Sequence, residues 1–162
     1  MEEDHVIQQA VSADAIESVR ALFQEYWTSF GFTPCFQNFD SEIATLPGKY
    51  APPRGRLLFA TVDGQPAGCV ALRPFDPTRG EVKRLYVRPQ FRGSGPGKAL
   101  MNTVVAEACA IGYSELIADT IPKVMATALA MYERLGFERT ERYSEETPEA
   151  EHIRLRLGMK GP

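Results

Sequence analysis

The sequence predicts a mixed α/β fold, one central sheet of about seven strands with helices on both faces. Three observations carry that reading. Short apolar segments recur between Gly- and Pro-rich turns. Segments with apolar residues every three or four positions alternate with them. One strand–helix–strand unit runs from residue 81 to residue 120, and such a unit is expected to be a right-handed parallel crossover. At 162 residues the chain has the length of about one domain. Residues 1–162 are read as a single domain, because no repeat, low-complexity tract or linker interrupts them.

The elements follow in order. Residues 5–11 read as a strand. Ser12 and Asp14 then offer N-caps to a helix in which Ile16, Val19, Leu22, Phe23, Tyr26, Trp27 and Phe30 repeat at helical spacing, with Gly31 as its stop. Residues 31–55 are loop-rich, with Pro34, Pro47, Pro52 and Pro53, and leave room for a short helix at 40–45. Strands at 56–62 and 66–73 flank Asp63-Gly64, a strong hairpin dipeptide. A strand at 81–88 is ended by Pro89. A helix opens near Pro96, with Leu100, Val104, Ala108 and Ile111 on one face and Gly112 beyond it. A strand at 114–120, a helix at 122–135 stopped by Gly136, and strands near 137–143 and 151–157 complete the order.

Composition narrows the function. Apolar residues make up 44% and charged residues 24%, as in ordinary soluble domains. The net charge of −3 gives no general support for a nucleic-acid partner. No apolar run approaches the ~18 residues of a membrane span, and the acidic start MEEDHVIQQ has no apolar signal region. A cytoplasmic protein without a membrane partner is expected. Cys35, Cys69 and Cys109 form no CxxC pair and no zinc spacing, so reduced thiols and no metal are expected. His5 and His152 lie near the chain ends and read as solvated surface residues.

The segment with chemistry in it is the strand 81–88, the glycine-rich turn after it and the helix start at Pro96. A helix N-terminus carries free N–H groups and partial positive charge, and glycines ahead of it let a ligand approach the backbone. Between Arg79 and Lys98 six bases stand against one acid, a local charge of +5 within a chain of −3. A phosphorylated ligand is the reading, and a glycine turn with a solvated basic rim is the alternative. A Walker A loop fails, because its first glycine falls on Arg92 and its hydroxyl on Ala99. A Rossmann loop fails as well, because counting from Gly93 or Gly95 puts the last glycine on Lys98 or Leu100.

The pattern Arg92-x-x-Gly95-x-Gly97, after a strand ending Val87-Arg88-Pro89, resembles the acetyl-CoA motif of the GNAT superfamily of N-acetyltransferases. The later stretch Ala128-Leu-Ala-Met-Tyr132-Glu-Arg-Leu-Gly-Phe137 resembles a second segment of that family, and the match is strongest over 56–138. The resemblance implies a GNAT-like fold with two splayed parallel strands. It implies acetyl-CoA as co-substrate and an amine acceptor, acetylated by direct attack through a tetrahedral intermediate. Arg92, Gly93, Ser94, Gly95, Gly97, Lys98 and Ala99 would bind the pyrophosphate. The backbone of Leu85, Tyr86 and Val87 would pair with the pantetheine arm, and the Leu85 N–H would meet the oxyanion. Glu81 would be the general base and Tyr132 the general acid. Glu81 suits a cross-strand ion pair equally, and Tyr132 suits a core position.

The resemblance also places Tyr26, Phe32 and Phe36 around the acceptor, although helical spacing favours a buried helix face for Tyr26. The acidic loop 143–151 would favour a cationic amine, or is simply solvated. Pro96 and Met125 depart from the family pattern, and Pro96 removes one N–H from the cradle. A homodimer is compatible with the resemblance. The other function compatible with it is a non-catalytic acyl-CoA-binding regulatory module.

Overall fold

The computed structural model describes residues 5–29, 39–120, 122–143 and 150–157. In chain order the elements are β1 (His5–Gln9), α1 (Ala13–Thr28), α2 (Phe39–Ala44), β2 (Arg56–Val62), β3 (Gln65–Pro74), β4 (Arg79–Val87), α3 (Pro96–Ile111), β5 (Glu115–Thr120), α4 (Pro122–Arg134), β6 (Glu138–Arg139) and β7 (Glu151–Arg156). The strands form one sheet in the order β1-β2-β3-β4-β5-β7-β6. β4 and β5 are parallel across the α3 crossover, and the other described pairs are antiparallel.

Local chemistry sets these elements. The Ser12 side chain accepts from the Ala15 N–H and caps α1. That helix ends at Thr28, and Gly31, its expected stop, lies outside the described residues. Asp63 and Gly64 both have positive φ, +49° and +81°, as a two-residue hairpin of the primed type requires. β6 is the largest difference from the sequence reading. A strand was expected near 137–143, but only Glu138 and Arg139 pair with β7.

Helices cover both faces, so the inner strands are buried on both sides. On one face Leu57, Phe59, Cys69 and Ala71 meet Val19, Leu22 and Phe23 of α1. On the other Leu58, Ala60, Val70 and Leu72 meet Leu100, Met101 and Val104 of α3. β3 therefore reads as a continuous apolar run rather than an alternating one. Gly68 lets β3 close on β4: a Cβ there would stand 2.5 Å from the Tyr86 carbonyl oxygen.

β4 carries the irregularity that matters most. Its register against β3 passes from Ala71↔Lys83 to Cys69↔Tyr86, so β4 holds one extra residue over that step. Arg84 in this bulge has φ +61°. The ladder to β5 ends at Glu81↔Ile117, and beyond that point the two parallel strands part. Arg84 is buried, and its Nε and Nη2 donate to the two carboxylate oxygens of Glu42 on α2 at 2.9 and 3.0 Å. Its guanidinium also stands 5.7 Å from the ring centres of Tyr26 and Trp27 on α1. Burial alone would raise the Glu42 carboxyl, but the hydrogen bonds and charge of Arg84 outweigh it and hold it below the usual carboxylate range. Behind the bulge the Cys69 thiol donates to the Arg84 carbonyl, and burial pushes that thiol well up. Cys109 on α3 is exposed. Among the described residues no helix is long and apolar enough to cross a membrane.

Glu42→Ala leaves the Arg84 charge buried without its partner. The expected loss is about 3–5 kcal/mol of unfolding free energy, read by urea denaturation at pH 7. A carboxyl held low in the fold contributes its stability above its free value and loses it as the pH falls through the folded value. The difference between the two proteins should therefore be full at pH 7 and shrink in acid below pH 4.5.

Candidate active site

Where β4 and β5 part, a cleft of about 490 Å³ opens between the end of β4, the 92–98 turn and α4. Leu85, Tyr86, Val87, Arg92, Gly93, Gly95, Gly97 and Lys98, all expected at a cofactor, line it together with Pro96. Two expected residues are outside this wall. The Ser94 hydroxyl donates to the Phe91 carbonyl at 2.6 Å, and the Ala99 N–H makes the first helical bond to Gly95 at 3.1 Å.

The turn owes its shape to its glycines. Gly93 and Gly95 have φ of +86° and +100°, and nothing stands within 4 Å of where a Gly93 Cβ would be. Gly95 is the N-cap of α3 and supplies no side-chain cap. Pro96 has no N–H, which leaves the Gly97 and Lys98 amides as first-turn donors outside the helical ladder. A Cβ on Gly97 would lie 2.8 Å from the Met131 methyl, so α3 and α4 meet closely at the cleft floor.

The basic stretch does not form one patch, which corrects the charge reading. Arg79 pairs with Asp76 at 2.8 Å. Arg88 pairs with Glu25 of α1 at 2.6 Å and also donates to the Pro66 carbonyl. Lys83 and Arg84 are buried. Arg92 and Lys98 are the two bases of that stretch on the cleft wall, and Arg134 of α4, absent from the sequence reading, joins them. The Arg92 Nε donates to the Val87 carbonyl at 3.0 Å.

Deeper in, the cleft meets a narrow gap between the splayed strands, lined by Tyr26, Lys83, Arg84, Leu85, Asp119, Ala128 and Tyr132. Both layers meet here, with Tyr26 from α1 and Tyr132 from α4. The Tyr132 ring packs on Phe137, with centroids 5.1 Å apart, and burial pushes its phenol well up. Its hydroxyl makes no hydrogen bond to a described residue. Burial pushes the Tyr26 phenol up to about 12.

Glu81 is 3% exposed and stands opposite Arg73 in the β3–β4 ladder. The Arg73 Nε donates to its Oε1 at 2.8 Å, and the Tyr143 hydroxyl donates to its Oε2 at 3.1 Å. Tyr143 rests edge-on against Phe75 and His152. Lys83 Nζ stands 4.0 Å from Glu81 and 3.8 Å from Asp119. Sequence reasoning missed Arg73, Asp119 and Tyr143. The cross-strand pair expected of Glu81 could have suggested Arg73 on the neighbouring strand, but nothing local marks Tyr143, which comes from 62 residues away. His152 is 5% exposed rather than solvated, because β7 lies inside the sheet between β5 and β6. His5 is half-buried, its ring against Gly95.

Beyond Lys83 and Arg84 a second pocket of about 290 Å³ opens on the α1–α2 side, bounded by Lys49, Tyr50 and Arg73. Tyr26 lines both the cleft and the gap. Phe32, Phe36 and most of the acidic loop, residues 144–149, lie outside the described residues. Among the described residues no three His, Cys, Asp or Glu side chains cluster as metal ligands do.

Comparison with known proteins agrees with this arrangement. The model of the acetyltransferase (GNAT) family matches residues 16–137. The chain belongs to the GNAT acetyltransferase family. An uncharacterized N-acetyltransferase of Schizosaccharomyces pombe is 37% identical over 145 residues, 88% of each chain. A GNAT-family acetyltransferase from Staphylococcus aureus superposes with a TM-score of 0.81 at 16% identity, over 96% of this chain and 100% of that one. The Salmonella typhimurium protein yncA, solved with its cofactor acetyl-CoA, superposes with a TM-score of 0.72 at 15% identity, over 98% and 97%. The family match makes this chain an acetyltransferase and does not favour a regulatory module without turnover.

Tyr143→Phe removes a donor to a buried carboxylate. The expected cost is about 1.5–3 kcal/mol of stability, read by thermal or urea unfolding. An unchanged midpoint would mean that the hydroxyl contributes nothing to holding Glu81.

Proposed function

We propose that the cleft binds acetyl-CoA and that the chain transfers its acetyl group to a primary amine, of a small molecule or of a protein. The observation that carries this reading is that three hollows adjoin across the splayed strands. Cleft and gap share Tyr26, Leu85 and Ala128, and gap and second pocket share Lys83 and Arg84. A ligand in the cleft and an acceptor in the pocket would meet in the gap, beside Tyr132.

The residues support distinct tasks. The Gly97 and Lys98 amides, with Arg92 and Lys98, suit the pyrophosphate at the α3 N-terminus. Ser94 and Ala99 shape the turn behind it. The β4 edge left open beyond Glu81 suits the amide-bearing arm of the ligand, paired with Leu85, Tyr86 and Val87 as an added strand. The Leu85 N–H is the candidate donor to the thioester oxygen as charge builds there. The amine nitrogen bonds to the acetyl carbon, the C–S bond breaks, and the thiol leaves with a proton. Glu81, held by Arg73 and Tyr143, takes the proton the amine gives up, directly or through water. Tyr132 supplies the thiol's proton. Its raised phenol keeps that proton throughout the ordinary assay range, so the acid is always loaded. Tyr26 forms the wall between the two ligands.

Two measurements test this. Acetyl-CoA and CoA should each raise the melting temperature, a gain of about 2.7 kcal/mol at 100 times Kd, while ATP and NAD leave it unmoved. No shift with either CoA compound would remove the cofactor assignment. Tyr132→Phe should lower kcat more than about tenfold and keep the acetyl-CoA shift. Unchanged turnover would leave Tyr132 a packing residue.

A further inference from the structure

The pocket beyond the gap has a chemistry of its own. Lys49, Arg73, Lys83 and Arg84 bound it, and Glu42 is the carboxylate among its described wall residues. Glu42 is taken up by its bidentate pair with Arg84. Glu81 and Asp119 flank Lys83, so among the described side chains four cations stand with three carboxylates. The described wall is therefore basic.

Lys83 is the residue that needs an explanation. Its side chain is 3% exposed, yet its ammonium stands 3.8 and 4.0 Å from its two carboxylates, beyond hydrogen-bond reach. It makes no hydrogen bond to a described residue. An ammonium has three donors, and its Nζ is not among the enclosed atoms that lack a partner, so those donors open onto the hollow it lines. Lys83 lines both the gap and the pocket, so an acceptor group entering the pocket reaches it.

We infer that the acceptor is a free amino acid whose carboxylate is received by Lys83, with Arg73 and Lys49 nearby. This rests on the acetyl-transfer reading above and adds the substrate class to it. A plain alkylammonium would bring a further cation to a basic wall. An amino acid brings an anion for Lys83, next to the amine that must face the gap. The volume agrees, since about 290 Å³ lies at the small end of ligand pockets, roughly 300–1,000 Å³. That size suits a free metabolite rather than a protein segment.

The test pairs each L-amino acid with the amine left by removing its α-carboxyl group, with acetyl-CoA present and thiol release measured. For at least one pair kcat/KM should be about tenfold or more higher for the amino acid. Lys83→Met should raise KM for that amino acid about tenfold, leave KM for the paired amine within a factor of about two, and keep the acetyl-CoA melting shift. Lys83→Arg should recover part of the loss. If Lys83→Met does not fold, the paired comparison on the unaltered chain decides. Amines used as well as or better than their amino acids would overturn the inference and leave acetyl transfer standing. No thiol release with any amino acid or any paired amine would overturn the inference and, with it, acetyl transfer to a small-molecule amine.

Discussion

At Arg84 the backbone of β4 takes a left-handed conformation that costs an arginine about 1–2 kcal/mol, and the bidentate pair with Glu42 holds it there. Much of the site depends on that residue. The extra position in β4 shifts its register against β3. Past Glu81 the strand no longer pairs with β5, and the sheet opens along one seam. Through that seam side chains from opposite layers, Tyr26 and Tyr132, come to share one small space. A regular β4 would close the seam, and cleft and pocket would be separated by a continuous wall.

The same bulge sorts the charges. In sequence Lys83, Arg84, Arg88, Arg92 and Lys98 look like one basic run. In space they serve four ends. Lys83 bounds the inner pocket, Arg84 fixes α2, Arg88 ties α1 to the end of β4 through Glu25, and Arg92 and Lys98 face the cleft. Charge counted along a strand is not charge presented on a surface, because a strand that turns and buries its residues distributes them over several partners.

Much of the fold was legible in the sequence, for identifiable reasons. Helix α1 announced itself by spacing and by Ser12, and the hairpin by Asp63-Gly64, because both are decided within a few residues. The glycine turn ahead of α3 was legible for the same reason, and Gly93 and Gly95 take the positive φ it needs. What escaped is decided at long range. Tyr143 reaches Glu81 across 62 positions, Glu42 reaches Arg84 across 42, and β7 enters between β5 and β6 to bury His152. The short β6 escaped because sequence pattern cannot say how far a ladder continues. Glu81 suits both a base and half of a cross-strand pair in the sequence, and its contact with Arg73 supplies the pair.

Cys69 lies directly behind the bulge, with its thiol donating to the Arg84 carbonyl. A thiol reacts as its thiolate, and burial keeps this one protonated and out of reach. Alkylating reagents will therefore modify exposed Cys109 and pass over Cys69 while β3 and β4 stay closed. Each time Cys69 is modified, the sheet has opened at its irregular strand. The rate of that slow labelling is a native clock for local opening at the seam, carried by the chain without any added probe.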